Sequence, residues 1–157
     1  NGFLYLTAII DVYSRYIVGW GISNTLDADA SLSVLKQAIK DHGKPEIINS
    51  DQGRQFTCEQ WVDYLKEEDI RISMDGKGRA VDNTFFERFW RSLKWGYVYL
   101  HPANDGLELY QGLKEYIHYY NNTRHHQGID RRIPANLPVQ TGSAILTGNG
   151  VVDKRKK

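Results

Sequence analysis

Two carboxylates and a lysine stand at a spacing that could hold a metal ion beside a phosphate. Asp51 directly follows a short apolar stretch, residues 46–50, and 35 residues separate it from Glu87. Lys94 lies seven residues after Glu87. Carboxylate oxygens are the ligands that hard divalent cations prefer, and a lysine supplies a positive charge for phosphate. The residue types therefore raise the hypothesis of a divalent-cation site next to a phosphate-binding surface.

Glu87 lies in a segment whose apolar residues repeat with helical spacing. Glu87, Arg91 and Lys94 fall on one face of that helix, because residues at i, i+4 and i+7 align. An adjoining stripe is apolar and would face the core, and its members are Phe85, Phe86, Phe89, Trp90 and Leu93. The alternative is an ordinary surface helix that carries a Glu–Arg pair at i,i+4.

The surrounding pattern predicts a mixed sheet with helices packed on its faces. Strands are expected at about 4–11, 16–23, 46–50 and 70–74, and helices at about 27–42, 57–68, 82–97 and 107–121. Thr57 and Gln60 form a candidate capping box for the second helix. Asp51 then lies just past the end of a buried strand, where ligand sites of open α/β sheets form.

Charge is divided unevenly along the chain. Residues 1–81 carry 9 basic and 12 acidic side chains, whereas residues 82–157 carry 11 basic and 7 acidic ones. A basic half favours a phosphate-bearing partner, although a solvated surface with a floppy end would give the same count. From about residue 141 the sequence has glycines, no periodicity and a basic end. We therefore expect a core domain over 1–140 and a basic, flexible tail over 141–157.

Composition excludes several classes of protein. The chain of 157 residues is 41% hydrophobic and 25% charged, which is ordinary for a globular domain and unlike a disordered chain. No apolar run is long enough to span a membrane. A single cysteine rules out an internal disulfide and a Cys-rich zinc module, and fits the cytoplasm. Because the sequence begins at Asn1 rather than Met, we expect a piece of a longer protein.

Four ordered segments resemble the integrase core of bacterial insertion-sequence transposases of the IS-three type, relatives of the retroviral integrases. Asp51, Glu87 and Lys94 resemble the D(35)E signature of that superfamily with its downstream basic residue. The segments are YLTAIIDVYSRYIVGW at 5–20, INSDQGRQF at 48–56, SMDGKGRAVDNTFFERFWRSLK at 73–94 and YIHYYNNTRHHQGIDRRIP at 116–134.

The resemblance implies an RNase H-like α/β fold and a DDE-type enzyme of DNA transposition or integration. Such enzymes nick 3′ ends and transfer strands by phosphoryl transfer that depends on two Mg²⁺ or Mn²⁺ ions. Asp51 and Glu87 would be catalytic metal ligands, and Lys94 would contact phosphate near the element end. The other expected DNA contacts are Arg91, Lys77, Arg79, Arg124 and His126. The expected partners are DNA, as element ends and target, and further copies of the chain, with no membrane.

The sequence departs from the family at the first carboxylate. In the family this Asp lies on a strand about ten residues before the segment that corresponds to Gly2-Phe3, and that strand is central in the sheet. We therefore expect a sheet that lacks its first strand, and little or no catalysis by residues 1–157 alone. Asp11 matches a different family position, and its expected role is to cap a turn or pair with Arg15.

Two other functions stay open at this point. One is a simple nuclease of the RNase H-like superfamily, against which the spacing from Glu87 to Lys94 and the block from Tyr120 to His126 argue. The other is a non-catalytic, DNA-binding relic of a transposase. Strand joining by a protein that includes the upstream strand would separate the leading hypothesis from both.

Overall fold

Up to residue 122, the strands and helices follow the order that the sequence predicts, with one additional short helix. In the computed structural model, the residues described are 3–25, 27–50, 54–74, 80–95, 105–137 and 144–153. The strands are β1 (Phe3–Asp11), β2 (Ile17–Ser23), β3 (Ile47–Ser50), β4 (Arg71–Met74) and β5 (Ala144–Asp153). The helices are α1 (Ala28–His42), α2 (Arg54–Thr57), α3 (Glu59–Glu67), α4 (Ala80–Leu93) and α5 (Gly106–Asn122). Two 3₁₀ turns follow at Gln127–Ile129 and Pro134–Asn136.

The five strands form one mixed sheet in the order β2-β1-β5-β3-β4. β1 pairs antiparallel with β2 on one side and with β5 on the other. β3 pairs parallel with both β4 and β5. The strand nearest the C-terminus therefore lies in the middle of the sheet and joins its antiparallel half to its parallel half.

β5 differs from two expectations drawn from the sequence. Residues 144–153 form a strand where an irregular tail was expected, and this strand fills the central position that was expected to be empty. The physical reason is non-local: β1 and β3 each offer backbone donors and acceptors along an edge that needs a partner. The segment also carries β-branched residues at Ile145, Thr147, Val151 and Val152, but its glycines obscured them.

Helices cover both faces of the sheet, and each face has its own apolar cluster. On one face, Ile9 and Ile48 meet α1, α2 and α3 in a cluster whose largest members are Trp61 and Phe56. On the other face, Leu6 and Ala8 meet α4 and α5 in the remaining cluster, with Phe89, Leu93, Leu113 and Ile117. Successive residues of β1 thus alternate between the two layers, as strand geometry requires.

The turn between β1 and β2 is organised by Asp11, which is completely buried. Its Oδ2 accepts hydrogen bonds from the backbone N–H of Ser14 at 2.8 Å and from the Ser14 hydroxyl at 2.6 Å. The next residue, Arg15, has a positive φ of 67° and donates its N–H to the Asp11 carbonyl. Asp11 therefore caps this turn, which confirms one of its two expected roles. The turn also sets the backbone position of Arg15.

β2 is an edge strand, and two devices hold it. A Cβ on Gly19 would lie 3.0 Å from Ala38 Cβ, so a glycine here lets α1 approach the strand closely. At the start of β2, the Asn121 side chain accepts from the Ile17 N–H at 2.8 Å and donates to the Ile17 carbonyl at 3.2 Å. The amide of α5 thereby satisfies the backbone of an edge residue, as a neighbouring strand would.

The ends of the helices mostly follow the sequence signals. Asp27 caps α1 by accepting from the Ala30 N–H, and Gly43 ends that helix with a φ of 92°. The predicted capping box at Thr57 and Gln60 is wrong. Thr57 closes the short helix α2, and the Gln60 amide donates to Asp29 on α1 instead. Among the described residues, no helix is both long and apolar enough to cross a membrane.

Candidate active site

Glu87 lies on the outward side of α4. Phe89 and Leu93 of this helix are buried against the sheet and α5, whereas Glu87 and Arg91 are exposed and Lys94 is half-buried. The apolar stripe thus anchors the helix, and the predicted polar face is free of the core. A carboxylate in this position is accessible to a cation or a DNA strand.

The parallel strands β3 and β4, which precede α4 in the chain, define one edge of the sheet. β3 and β4 run parallel, so their carboxyl ends point to the same edge, and α4 follows β4 in the chain. Asp51 directly follows the last residue of β3, but Asp51, Lys77 and Arg79 lie outside the described residues. Near this end, Asn49 is buried, and its Oδ1 has no hydrogen-bond partner among the described residues.

The register of β5 shows what the central strand brings to this edge. Ser50, at the end of β3, pairs with Thr147, which also pairs with Ile9. β5 has one carboxylate, Asp153, and it pairs with Phe3 at the far end of β1. Asp153 lies six positions after Thr147 along the strand, a distance of about 20 Å. Asp153 therefore does not occupy the position beside the end of β3 that the family's first carboxylate is expected to take.

A second set of polar residues surrounds the loop after α5. The Arg124 guanidinium lies 2.9 Å from Nδ1 of His126, and Nε2 of His126 lies 3.0 Å from the Tyr120 carbonyl oxygen. Because a guanidinium only donates, Nδ1 must accept, and Nε2 then carries the proton that it donates to Tyr120. His126 is therefore neutral, with its tautomer fixed, and it orients Arg124.

The electrostatics of this loop agree with that assignment. Burial lowers the pKa of His126 below its usual value, and the Arg124 and Arg15 guanidinium groups lower it further, although its bond to the Tyr120 backbone acts in the opposite direction. Burial raises the pKa of Tyr120 to about 12, so its phenol stays neutral. The Arg124 guanidinium lies 5.5 Å from the centre of the Tyr120 ring, within range of a cation–π contact.

Three separate parts of the chain meet at a pocket of about 680 Å³. Arg88, Arg91 and Ser92 line it from α4, Arg15 from the β1–β2 turn, and the segment after α5 supplies the rest. The residues from that segment are Arg124, His126, Gln127 and Gly128, with Tyr120 at the end of α5. Of the described residues that line the pocket, four are arginines and none is a carboxylate. We call this site the arginine pocket.

The structure unites some of the residues predicted from the sequence and adds others. It brings Arg91, Arg124 and His126 into the arginine pocket, and it places Lys94 directly after α4, the helix of Glu87. Sequence reasoning did not select Arg15 or Arg88 as site residues. The signal for Arg15 was present, because Asp11 and Ser14 precede it as a turn motif. Within the described part of the chain, no three His, Cys, Asp or Glu side chains are grouped as metal ligands.

Comparison with known sequences identifies the family. The integrase core domain profile matches residues 1–80, and a second profile, also described as an integrase core domain, matches residues 68–134. The chain belongs to the integrase core family. It is 35% identical over 140 residues to the transposase of insertion sequence element IS904 from Lactococcus lactis, covering 87% of this chain and 55% of that one. It is also 34% identical over 124 residues to the putative transposase InsK of IS150 from Escherichia coli, covering 77% and 44%. This integrase core thus spans about half the length of these relatives.

Solved structures confirm the RNase H-like fold of the integrase core. The HTLV-2 integrase catalytic core domain, described in complex with magnesium, matches with a TM-score of 0.67 at 18% identity, covering 85% of this chain and 84% of that one. The catalytic core domain of BIV integrase matches with a TM-score of 0.69 at 16% identity, over 85% and 84%. The predicted fold class is therefore confirmed.

The donor atoms of this integrase core suit magnesium in kind. Asp51 and Glu87 offer carboxylate oxygens, and Glu87 is exposed on α4. Mg²⁺ commonly takes one or two protein carboxylates and completes its shell with water and substrate phosphates. Among the described residues, Glu87 on α4 is a donor of that kind, with Arg91 on the same helix.

Proposed function

We propose that this chain is the catalytic core of a DNA transposase of the DDE type. The reaction is phosphoryl transfer: hydrolytic nicking at the 3′ end of the element, followed by attack of that 3′-hydroxyl on target DNA. The observation that carries the proposal is the placement of Glu87. It stands exposed on α4, which follows the parallel pair β3–β4, while Asp51 directly follows β3.

In this proposal, the carboxylates and the cations have separate tasks. Asp51 and Glu87 hold divalent ions, Mg²⁺ or Mn²⁺, which activate the attacking oxygen and stabilise the leaving one. Arg91 lies on the same helix as Glu87, and Lys94 directly follows that helix. Both hold phosphates of the DNA strand. Lys77 and Arg79 precede α4 in the chain and contact DNA further along. No covalent intermediate between protein and DNA is required.

The decisive experiment is a strand-transfer assay with Mg²⁺ or Mn²⁺ and labelled element ends. It compares residues 1–157, a protein that includes about 20 residues upstream, and the longer protein with Glu87→Gln or Asp51→Asn. The matched control is Glu115→Gln, an exposed glutamate on α5. We expect the longer protein and its Glu115→Gln form to join DNA ends, and the Glu87 and Asp51 variants to be inactive.

Residues 1–157 alone should join ends poorly or not at all. The reason lies in β5, which fills the central place in the sheet but brings no carboxylate to the end of β3. Robust joining by the 157-residue chain would contradict this expectation. Mn²⁺ binding is measured by electron paramagnetic resonance. If the longer protein neither joins DNA ends nor binds Mn²⁺, the transposase proposal fails and a non-catalytic DNA-binding role replaces it.

The same proposal extends to assembly and location. We propose that the protein acts as a homo-oligomer on DNA, since joining two element ends to a target requires more than one site. The HTLV-2 core has been solved in forms described as dimeric and trimeric. Light scattering after gel filtration, with and without element-end DNA, tests oligomer formation. We place the protein in the bacterial cytoplasm, where its DNA substrate lies.

A further inference from the structure

The arginine pocket brings together four guanidinium groups from three parts of the chain. None of the described residues that line it is acidic. Placing several cations around one cavity is costly unless an anion enters it. Guanidinium groups match phosphate oxygens through paired hydrogen bonds, so phosphate is the anion that suits such walls best.

Neighbouring residues also position the arginines of the pocket. Arg15 is directed by the buried Asp11–Ser14 turn, and its guanidinium lies 3.7 Å from the position that a Cβ on Gly128 would take. Arg124 is held by neutral His126. Its Nη2 also lies 3.5 Å from the Ser92 hydroxyl on α4. Arg124 is thus held in place before any ligand arrives, which lowers the entropic cost of binding.

The position of the pocket indicates which phosphate it takes. Arg88 and Arg91 are exposed on α4, the helix of Glu87, and Arg91 lies about one helical turn from Glu87. A cavity of about 680 Å³ with exposed arginines along one wall is larger than a single phosphate ion needs, and it leaves room for the sugars on either side of a phosphodiester.

We propose that the arginine pocket binds a backbone phosphate of the DNA strand that runs along α4, with Arg15 and Arg88 as direct contacts. Arg91 and Arg124 complete the contact, and His126 acts as a positioning residue through Arg124. This inference rests on the proposed function, because it takes DNA as the partner. The contact is independent of base sequence, since it involves only the backbone.

The test measures binding of the protein to two unrelated DNA duplexes by fluorescence anisotropy, in EDTA and over a series of salt concentrations. The variants are Arg15→Gln and Arg88→Gln, and the matched control is Arg71→Gln, an exposed arginine of β4 that pairs with Glu46. We expect each pocket variant to lose about tenfold in affinity for both duplexes. The slope of log K against log salt should fall by about one.

Several results would overturn the proposal. If Arg71→Gln and Arg88→Gln lose DNA affinity equally, binding depends on the overall charge of the protein and not on a specific site. Inorganic phosphate that binds in an Arg88-dependent way, with DNA affinity unchanged in the variants, would assign the pocket to a free phosphate. Because Arg88 is exposed on a helix, its variant should fold, and Arg15→Lys should restore affinity lost in Arg15→Gln.

The outcome is separable from that of the proposed function. Strand transfer in Mg²⁺ tests the catalytic proposal, whereas DNA binding in EDTA, where no divalent ion is held, tests the pocket. Loss of DNA affinity in the pocket variants, together with a failure of strand transfer in the longer protein, would support the pocket and contradict the catalytic proposal. If both pocket variants bind DNA with unaltered affinity and strand transfer still occurs, the catalytic proposal is supported and the pocket proposal is contradicted.

Discussion

The Arg124 guanidinium donates to Nδ1 of His126, and the opposite nitrogen of that ring donates to the Tyr120 carbonyl. One imidazole therefore links the end of α5 to an arginine that points into the arginine pocket. The link exists only while the ring is neutral, because a protonated Nδ1 cannot accept a hydrogen bond.

This relationship predicts a pH dependence of stability. Burial holds the pKa of His126 below the usual value of about 6.5, so the unfolded chain binds the proton more readily than the folded one. The resulting stability is fully present above about pH 6.5 and declines as the pH falls towards the lower, folded-state pKa. His126→Gln can keep both hydrogen bonds without titrating. We expect its free energy of unfolding, measured in urea, to fall less than the wild type's between pH 7.5 and 5.5.

The matched control for that comparison is His125→Gln, because His125 is exposed and next in sequence. It should retain the wild-type dependence on pH. If His126→Gln and the wild type lose stability equally on acidification, the neutral assignment of His126 is wrong.

Asn121→Ala should destabilise the protein by removing the partner of the Ile17 backbone. Both hydrogen bonds are buried, and leaving a buried backbone group unpaired costs about 1–3 kcal/mol. Chemical denaturation of Asn121→Ala and Asn122→Ala provides the comparison. Asn122 is exposed, and its amide bonds only within its own helix, to His118, among the described residues. Its variant should stay within about 0.5 kcal/mol of the wild type.

Gly19→Ala should also lower stability, for a steric reason. The added Cβ would lie 3.0 Å from Ala38 Cβ and 3.3 Å from Val34, which forces α1 away from β2. Overpacking of this kind costs about 1–3 kcal/mol. Gly106→Ala is the control, because its Cβ would meet Leu4 at an ordinary 3.8 Å. Equal melting temperatures for the two variants would refute the close approach of α1.

The central position of β5 predicts that Thr147→Pro disrupts folding. Thr147 pairs with Ile9 on one side and Ser50 on the other, and proline in a central strand removes a ladder hydrogen bond and breaks the strand. We expect loss of the cooperative thermal transition, whereas Thr147→Val should unfold like the wild type. A normal cooperative transition in Thr147→Pro would show that residues 144–153 do not pair in the sheet.

The sequence was informative wherever the signal is local. Strand alternation and helical periodicity identified every element from β1 to α5 except the four-residue helix α2. Glu87 was correctly placed on the polar side of its helix. Trp95 shows the limit of side-chain hydrophobicity as a guide to burial, because this large aromatic residue is 67% exposed.

The features that the sequence did not reveal depend on distant partners. β5 becomes a strand because β1 and β3 flank it, and its local sequence pattern does not indicate that pairing. The arginine pocket similarly requires the turn at Arg15, the face of α4 at Arg88 and the loop at Arg124 to converge. Charge counts could show that the second half is basic. They could not show that a residue from the first half, Arg15, belongs to the same site.

The place of β5 in the sheet also determines when this domain can fold. β1 and β5 are far apart in the sequence but pair in the sheet, with Phe3 opposite Asp153 and Asp11 opposite Ile145. On the ribosome, the β1–β2 hairpin and the β3–β4 pair can form as they emerge, but the strand that joins them is synthesised last. Such long-range closure slows folding and leaves two unpaired edges exposed in the meantime. The nascent sheet is therefore expected to depend on chaperones until β5 leaves the exit tunnel.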